Sequence, residues 1–373
     1  MATTFKLEAD RLQQAVPTTM QAAVYRGKDD VHLEKVPVPE IGAGELLVRI
    51  HTCGICGTDL KKISTGSHSA PRIFGHEMAG QVVKTGAGVK TFSIGDRVMV
   101  FHHIPCGECY YCRKKVFAQC PVYEKVGATA GFEPSGGGFA EYIRVMDWIV
   151  RKGVVKIPDG VSYEQASFIE PVNTCLKAIE ALQLQADETA LVIGQGPIGI
   201  ILAALAKRTG ATVVTSDLYP QRLKISESFG LGHNVNAGTD NPAARVRELT
   251  DGRGADAVIL ATAGNSLIRP AIDAARPGGR IMLFAQTQRS EVAIDPSAVC
   301  MDEKTLMGSY SASVDLQDEN VKLVFSGEVN FAGLISHRFA LVEAVEALRL
   351  ASHPAPDSMK IVIQPGMDWE KSI

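Results

Sequence analysis

Between Cys53 and Glu77 the chain reads CGICGTDLKKISTGSHSAPRIFGHE, which places a thiol at Cys56, an imidazole at His76 and a carboxylate at Glu77 within one short span. Each of these residue types binds zinc, and a centre with three protein ligands keeps a fourth position open for chemistry. Gly54, Gly57 and Gly75 are expected to let the backbone fold closely around it. A second cluster, PCGECYYCRKKVFAQCP, spaces Cys106, Cys109, Cys112 and Cys120 as C-x2-C-x2-C-x7-C. Four thiolates on a Gly- and Pro-flanked loop suit a closed tetrahedral zinc that stiffens a loop lacking a core of its own. The rival is an iron–sulfur cluster, because the early spacing and Pro121 echo a ferredoxin run, but there the fourth cysteine follows after about three residues.

A third pattern is Gly194-Gln195-Gly196-Pro197-Ile198-Gly199, between the strand-like TALVI and the helical IGIILAALAKR. In that context the glycines allow a tight turn, close approach of a pyrophosphate and close helix packing, with Pro197 and Ile198 opening the helix. Asp217 ends the next strand, ATVVTSD, where a carboxylate accepts hydrogen bonds from a ribose and repels a 2′-phosphate, so NAD is expected over NADP. Arg222 could stack on adenine or offset that choice, although an exposed helix arginine is the plainer reading.

These clusters need two kinds of scaffold. From Met20 to Val100, short β-type runs (AAVYR, VHLEKV, ELLVRIHTC, MAGQVVKTG, DRVMVF) are separated by Gly, Pro and Asp, which indicates an antiparallel, barrel-like β domain. EYIRVM and WIVRKGVVKIP continue that character to Pro158. From about Ser162, helical patterns alternate with short buried strands, the mark of a parallel sheet with crossover helices. Residues 1 to about 20 show no strong pattern and read as a docked helix or a disordered arm.

Composition agrees. The 373 residues are 46% hydrophobic with a formal charge of −3, long enough for about two domains, and charges of both signs are interspersed, so nucleic acid and membrane surfaces are not expected partners. There is no apolar run of about 18 residues and no signal-like start, so a cytoplasmic location is expected. Eight cysteines in such a chain favour metal over disulfides.

With CGICGTD, GHE, the four-cysteine lobe, IEPV and GQGPIG in this order, the chain resembles zinc-dependent medium-chain dehydrogenases/reductases of the alcohol dehydrogenase superfamily, most of all the polyol, sorbitol and threonine dehydrogenase branch. The resemblance covers nearly everything after the first 20 residues. It implies an α/β protein: a GroES-like β-barrel catalytic domain at 1–165 and 305–373, interrupted by a Rossmann NAD-binding domain at 166–304, in a homodimer or homotetramer. It implies two zinc ions per chain, one catalytic and one structural, with Cys56 and His76 as ligands of the first. Glu170, in FIEPVN, is pointed to as a further carboxylate; one of Glu77 and Glu170 is expected to bind directly, the other through water or by exchange. Thr58 matches a proton-relay hydroxyl, while Lys61 stands where alcohol dehydrogenases often carry a relay histidine. Asp59 is expected to orient the metal loop.

The implied activity is NAD-linked interconversion of a secondary alcohol, in a polyol, cyclitol or sugar, with its ketone. Simple alcohol or threonine oxidation, a zinc-free quinone or enoyl reductase, and a non-catalytic NAD sensor are the alternatives. No arginine stands near Ser309–Ser311, where sorbitol-type members carry a substrate-contacting one. Cys53, Cys175 and Cys300 are expected to be packing residues, and His102 and His103 to line a pocket or serve structurally.

Overall fold

A computed structural model describes residues 16–101, 104–125, 136–285 and 291–368. The chain divides into two compact units, with boundaries after Glu170 and after Ala312. The boundary expected at 305 precedes the observed one because Thr305–Gly308 is still a strand of the second unit's sheet, and the one expected after 165 lies a few residues before Glu170. Residues 1–15 of the N-terminal extension and the His102–His103 pair lie outside the described residues.

The first unit is built on β1 (Thr19–Gly27), β2 (Asp30–Pro37), β3 (Leu46–Gly54), β4 (Arg72–Ile73), β5 (Glu77–Thr85), β6 (Arg97–Val100), β7 (Tyr142–Val145) and β8 (Val154–Lys156). Strands β1, β2 and β4 form a small antiparallel sheet. A larger, seven-stranded sheet runs in the order β15-β16-β3-β5-β6-β8, with β7 also on β3, where β15 is Ile335–Ala340 and β16 is Lys360–Gln364. Pairing is antiparallel as expected, apart from β15 beside β16. Strand β3 is buried on both faces, so its sequence carries no strict alternation. The segment WIVRK, read as β-type, falls in a helix, Asp147–Lys152, and only Val154–Lys156 is strand. Its exposed Arg151 bonds back to Asp147 one turn earlier, a local pairing that favours the helix.

One register positions the site. Gly54, the last residue of β3, pairs with Glu77, the first of β5, and with Val362 of β16. The ends of three strands distant in sequence therefore meet at one place.

The second unit is a six-stranded parallel sheet ordered β11-β10-β9-β12-β13-β14, comprising β9 (Thr189–Ile193), β10 (Thr212–Asp217), β11 (His233–Asn236), β12 (Ala255–Leu260), β13 (Ala275–Leu283) and β14 (Thr305–Gly308). Leu191, Val214, Val258, Ala271 and Ile281 are among the residues of its core. The order reverses direction at β9, and at such a switch point the carboxyl ends of the strands leave a crevice for a ligand. The Gly194–Gly199 turn follows β9 directly. No helix among the described residues is long and apolar enough to cross a membrane.

Candidate active site

Cys56 ends the turn after β3 and caps the helix Gly57–Thr65: its sulfur accepts the Thr58 N–H at 3.4 Å, while the Asp59 carboxylate accepts the Cys56 N–H at 3.3 Å. This reciprocal cap holds the thiol at a helix N-terminus, where negative charge is favoured. His76 lies just before β5, so it and Glu77 are not constrained to opposite faces of a strand. The donor atoms of Cys56, His76 and Glu77 all lie within 4.8 Å of one another.

Asp59 is wholly buried and its Oδ1 sits 3.0 Å from His76 Nδ1. Burial works against both charges, yet the pair prevails: the His76 imidazole holds the Asp59 carboxyl below its usual range, and Asp59 with Cys56 raises His76 well above its own. A neutral His76 that donates Nδ1–H to Asp59 presents Nε2 to a cation. The expectation for Asp59 thus has a geometric basis.

Lys360, absent from the sequence reading, completes the centre. The first residue of β16, it is buried, forms an ion pair with the Glu77 carboxylate and donates to the Ile55 carbonyl at 3.1 Å. Burial alone would depress its pKa, but Glu77, Cys56 and Glu170 raise it; the Glu77 carboxyl is itself pushed up by burial, with the Glu170 charge adding to this and Lys360 opposing it. Glu170 is buried in the first turn of the helix Ile169–Leu182, outside the converging trio but close enough to act on both partners. A Cβ at Gly54 would collide with the Glu77 carboxylate and come within 2.7 Å of Lys360 Cε, so glycine is required there. Gly75, at φ 95°, likewise admits no side chain beside Phe139 and Cys53. Gly57 differs from expectation: nothing lies within 4 Å of a Cβ built on it, so closeness does not require glycine there.

The donor set fits a divalent cation. Cys56, His76 and Glu77 bring a thiol, an imidazole and a carboxylate to one point, all zinc-binding types, while Glu77 and Glu170, two buried carboxylates, share the single ammonium of Lys360. Cys53 is wholly buried with its thiol pushed up by burial, an inert neighbour as expected. Cys175 is also buried, whereas Cys300 is exposed, not packed: it ends a short helix, Pro296–Cys300, that has no buried residue.

In the cysteine lobe the sulfurs of Cys106, Cys109, Cys112 and Cys120 also converge within 4.8 Å, with separations of 3.4 Å (109–112), 3.6 Å (106–120) and 3.8 Å (106–112). A tetrahedron of thiolates around zinc has edges of about 3.8 Å, given bonds of about 2.3 Å. Burial pushes the Cys112 thiol up to about 12, while backbone N–H groups of Cys106, Tyr123 and Val122 overcome burial and bring Cys120 to about 6. Phe117 is the buried non-cysteine member of the lobe's small core.

In the second unit the helix Pro197–Arg208 begins at Gly196 without a side-chain cap, which leaves its first N–H groups for an anion. Gly194 (φ 95°) packs on Thr262, Gly199 is pressed against the Gly194 carbonyl, and nothing approaches a Cβ built on Gly196, the face a pyrophosphate would fill. Asp217 accepts the Gln195 N–H at 2.6 Å through Oδ2 and the Tyr219 N–H at 2.9 Å through Oδ1, which aims the carboxylate at the same turn. Arg222 is not the exposed arginine expected: it is mostly buried, over the Tyr219 ring at 5.0 Å and 3.9 Å from Asp217 Oδ2.

Comparison with known proteins agrees with this architecture. Residues 42–159 match the alcohol dehydrogenase GroES-like domain and residues 197–326 the zinc-binding dehydrogenase domain. The sorbitol dehydrogenase of Bombyx mori is 31% identical, over 93% of this chain and 99% of its own. The crystal structure of 2R,3R-butanediol dehydrogenase from Bacillus subtilis superposes with a TM-score of 0.81 at 27% identity, covering 93% of this chain and 99% of that one. A zinc-binding dehydrogenase from Sinorhizobium meliloti 1021, solved bound to NADP, gives 0.82 at 26% identity over 94% and 100%. The chain belongs to the zinc-type alcohol dehydrogenase family, an oxidoreductase with a GroES-like domain and a Rossmann-type parallel sheet.

Proposed function

We propose that this enzyme interconverts a secondary alcohol of a polyol, cyclitol or sugar with its ketone, using NAD, one catalytic zinc and one structural zinc. The observation that carries the reading is the convergence of Cys56, His76 and Glu77 at a buried centre faced by Glu170 and Lys360. When bound, zinc supplies the Lewis acidity that eases loss of a hydroxyl proton, and NAD supplies the hydride acceptor.

In this reading Cys56, His76 and Glu77 hold the ion. Asp59 keeps the His76 tautomer, and Lys360 holds one oxygen of Glu77, which leaves the other for the metal. Glu170 stands as the outer or exchanging carboxylate. Thr58, tied by its N–H to the Cys56 sulfur, offers the hydroxyl that would take up the proton of a substrate hydroxyl. A carboxylate-rich centre tolerates a second substrate hydroxyl, which suits vicinal diols. Cys106, Cys109, Cys112 and Cys120 hold the structural ion. Gly194, Gly196, Pro197, Ile198 and Gly199 receive the pyrophosphate, and Asp217 the ribose.

The test is NAD reduction by zinc-replete protein across polyols, cyclitols, sugars, simple alcohols and threonine. Turnover of a vicinal diol, lost in Cys56→Ser, supports the reading; turnover confined to simple alcohols or threonine, or unaffected by Cys56→Ser, refutes it.

A further inference from the structure

Asn320 is wholly buried on the helix Gln317–Ser326. Its Nδ2 donates to the Ile169 carbonyl at 2.7 Å, while its Oδ1 is buried without a hydrogen-bond partner among the described residues. A buried amide with half its capacity unused costs about 1–3 kcal/mol, and a leucine would fill similar space without that cost. Packing is therefore a poor account of the residue.

The bond falls on the peptide that leads into Glu170. Here the backbone has just been interrupted: the helix Tyr163–Ser167 stops, Phe168 intervenes, and a new helix starts at Ile169. Pro171 has no N–H to return to the preceding turn, so this stretch is less tied to its own helix than a regular one. The same partner helix grips the turn before it, where Gln165 Nε2 donates to the Val324 carbonyl at 2.7 Å. Phe168 stacks on Phe331 beyond that helix, with centroids 6.4 Å apart.

We propose that Asn320 is a positioning residue for Glu170: through the Ile169 carbonyl it sets where that carboxylate stands relative to Glu77 and Lys360. The inference rests on the reading of Glu170 as the outer carboxylate of the Cys56 centre.

The test compares Asn320→Leu, Asn320→Ala, Glu170→Gln and the double variant Asn320→Leu/Glu170→Gln in full-length protein. Two quantities are read: the visible spectrum after cobalt loading, and the rates at which a chelator strips the two zinc ions. The expected result is a cobalt spectrum displaced in the same sense as by Glu170→Gln. Release of the Cys56-centre ion should be about three- to ten-fold faster, the scale of one hydrogen bond, with the cysteine-lobe ion unaffected. The double variant should release no faster than Glu170→Gln alone, since both changes would act through one group. Asn320→Ala, which adds no bulk, serves if the leucine variant does not fold. A wild-type spectrum and release rate with only a lowered Tm overturns the proposal, as does equal acceleration of both ions. If Glu170→Gln itself changes neither quantity, the reading of Glu170 falls and takes the proposal with it; if it changes both while Asn320→Leu is silent, the proposal alone falls.

Discussion

Lys360 and Glu77 form a buried ion pair between the first residues of β16 and β5, over the one glycine, Gly54, that leaves room for it. Taking one partner away from such a pair leaves a charge stranded in a poor solvent, which typically costs about 3–5 kcal/mol. Lys360→Met should therefore lower the thermal stability of the metal-free protein by about that amount, and added zinc should recover part of it by taking up the Glu77 charge. Calorimetry with and without zinc measures both.

Asp59→Asn keeps the shape of the His76 partner and removes its charge. Substitutions behind a metal-binding histidine typically cost about 10- to 100-fold in affinity or activity. Competition against a chromogenic chelator should show a loss of this order at the Cys56 centre alone.

In the proposed arrangement each cluster would hold its own ion. Cys56→Ser and Cys120→Ser should each bring the zinc content from about two per chain to about one, but with different consequences. Loss of Cys56 should abolish turnover and leave the melting curve nearly intact. Loss of Cys120 should open the lobe, seen as proteolysis between Cys106 and Cys120, because metal binding there supplies folding energy that Phe117 cannot.

If Asp217 receives the cofactor ribose as proposed, Arg222, 3.9 Å away, stands where it would offset that carboxylate's preference for NAD. Asp217→Ser should cut kcat/KM with NAD by about ten-fold or more, the scale of a charge-assisted hydrogen bond, and raise it with NADP. Arg222→Ala in that background should remove the NADP gain. Steady-state kinetics with both cofactors decide.

His51 stacks on Tyr163 at 4.2 Å, and the Arg97 guanidinium covers that tyrosine at 4.5 Å. Burial, then the charges of Arg49 and Arg97, lower the His51 pKa to about 4. An unfolded histidine titrates near about 6.5, so between these values the unfolded chain binds the extra proton and stability rises with pH. His51 thus leaves the fold at full stability above about pH 6.5, and up to about 3 kcal/mol is lost as pH falls from there to about 4. His51→Gln should flatten the stability profile in that window; an unchanged acid limb would refute the assignment.

Much of this was legible in the chain because local spacing carries it. The four cysteines lie within one loop, and the Gly194–Gly199 turn, its helix and Asp217 belong to one βαβ segment, so chain geometry confines each set. The switch from β-type runs to alternating strands and helices likewise marks two scaffolds. Local reading failed where neighbours decide. WIVRK has strand-like residues but helical hydrogen bonds, and Arg222 looks like any exposed helix arginine until Tyr219 and Asp217 enclose it.

The sequence by itself determined the fold class, the two groups of metal-binding residue types and the glycine turn after β9, since these follow from residue type and short-range spacing. Only the tertiary structure decided that Lys360 pairs with Glu77 beside Cys56 and His76 and that Asn320 grips the peptide before Glu170. A lysine opening the apolar strand KIVIQ reads as a surface charge, and an asparagine in QDENVKLVFS reads as one more polar position. Their partners, Glu77 and Ile169, are far away along the chain, and what brings each pair together is the register of β16 on β3 and the packing of two helices. Neither is written in any stretch short enough to read locally, because sheet register and helix contact are settled by the burial of all the surfaces at once.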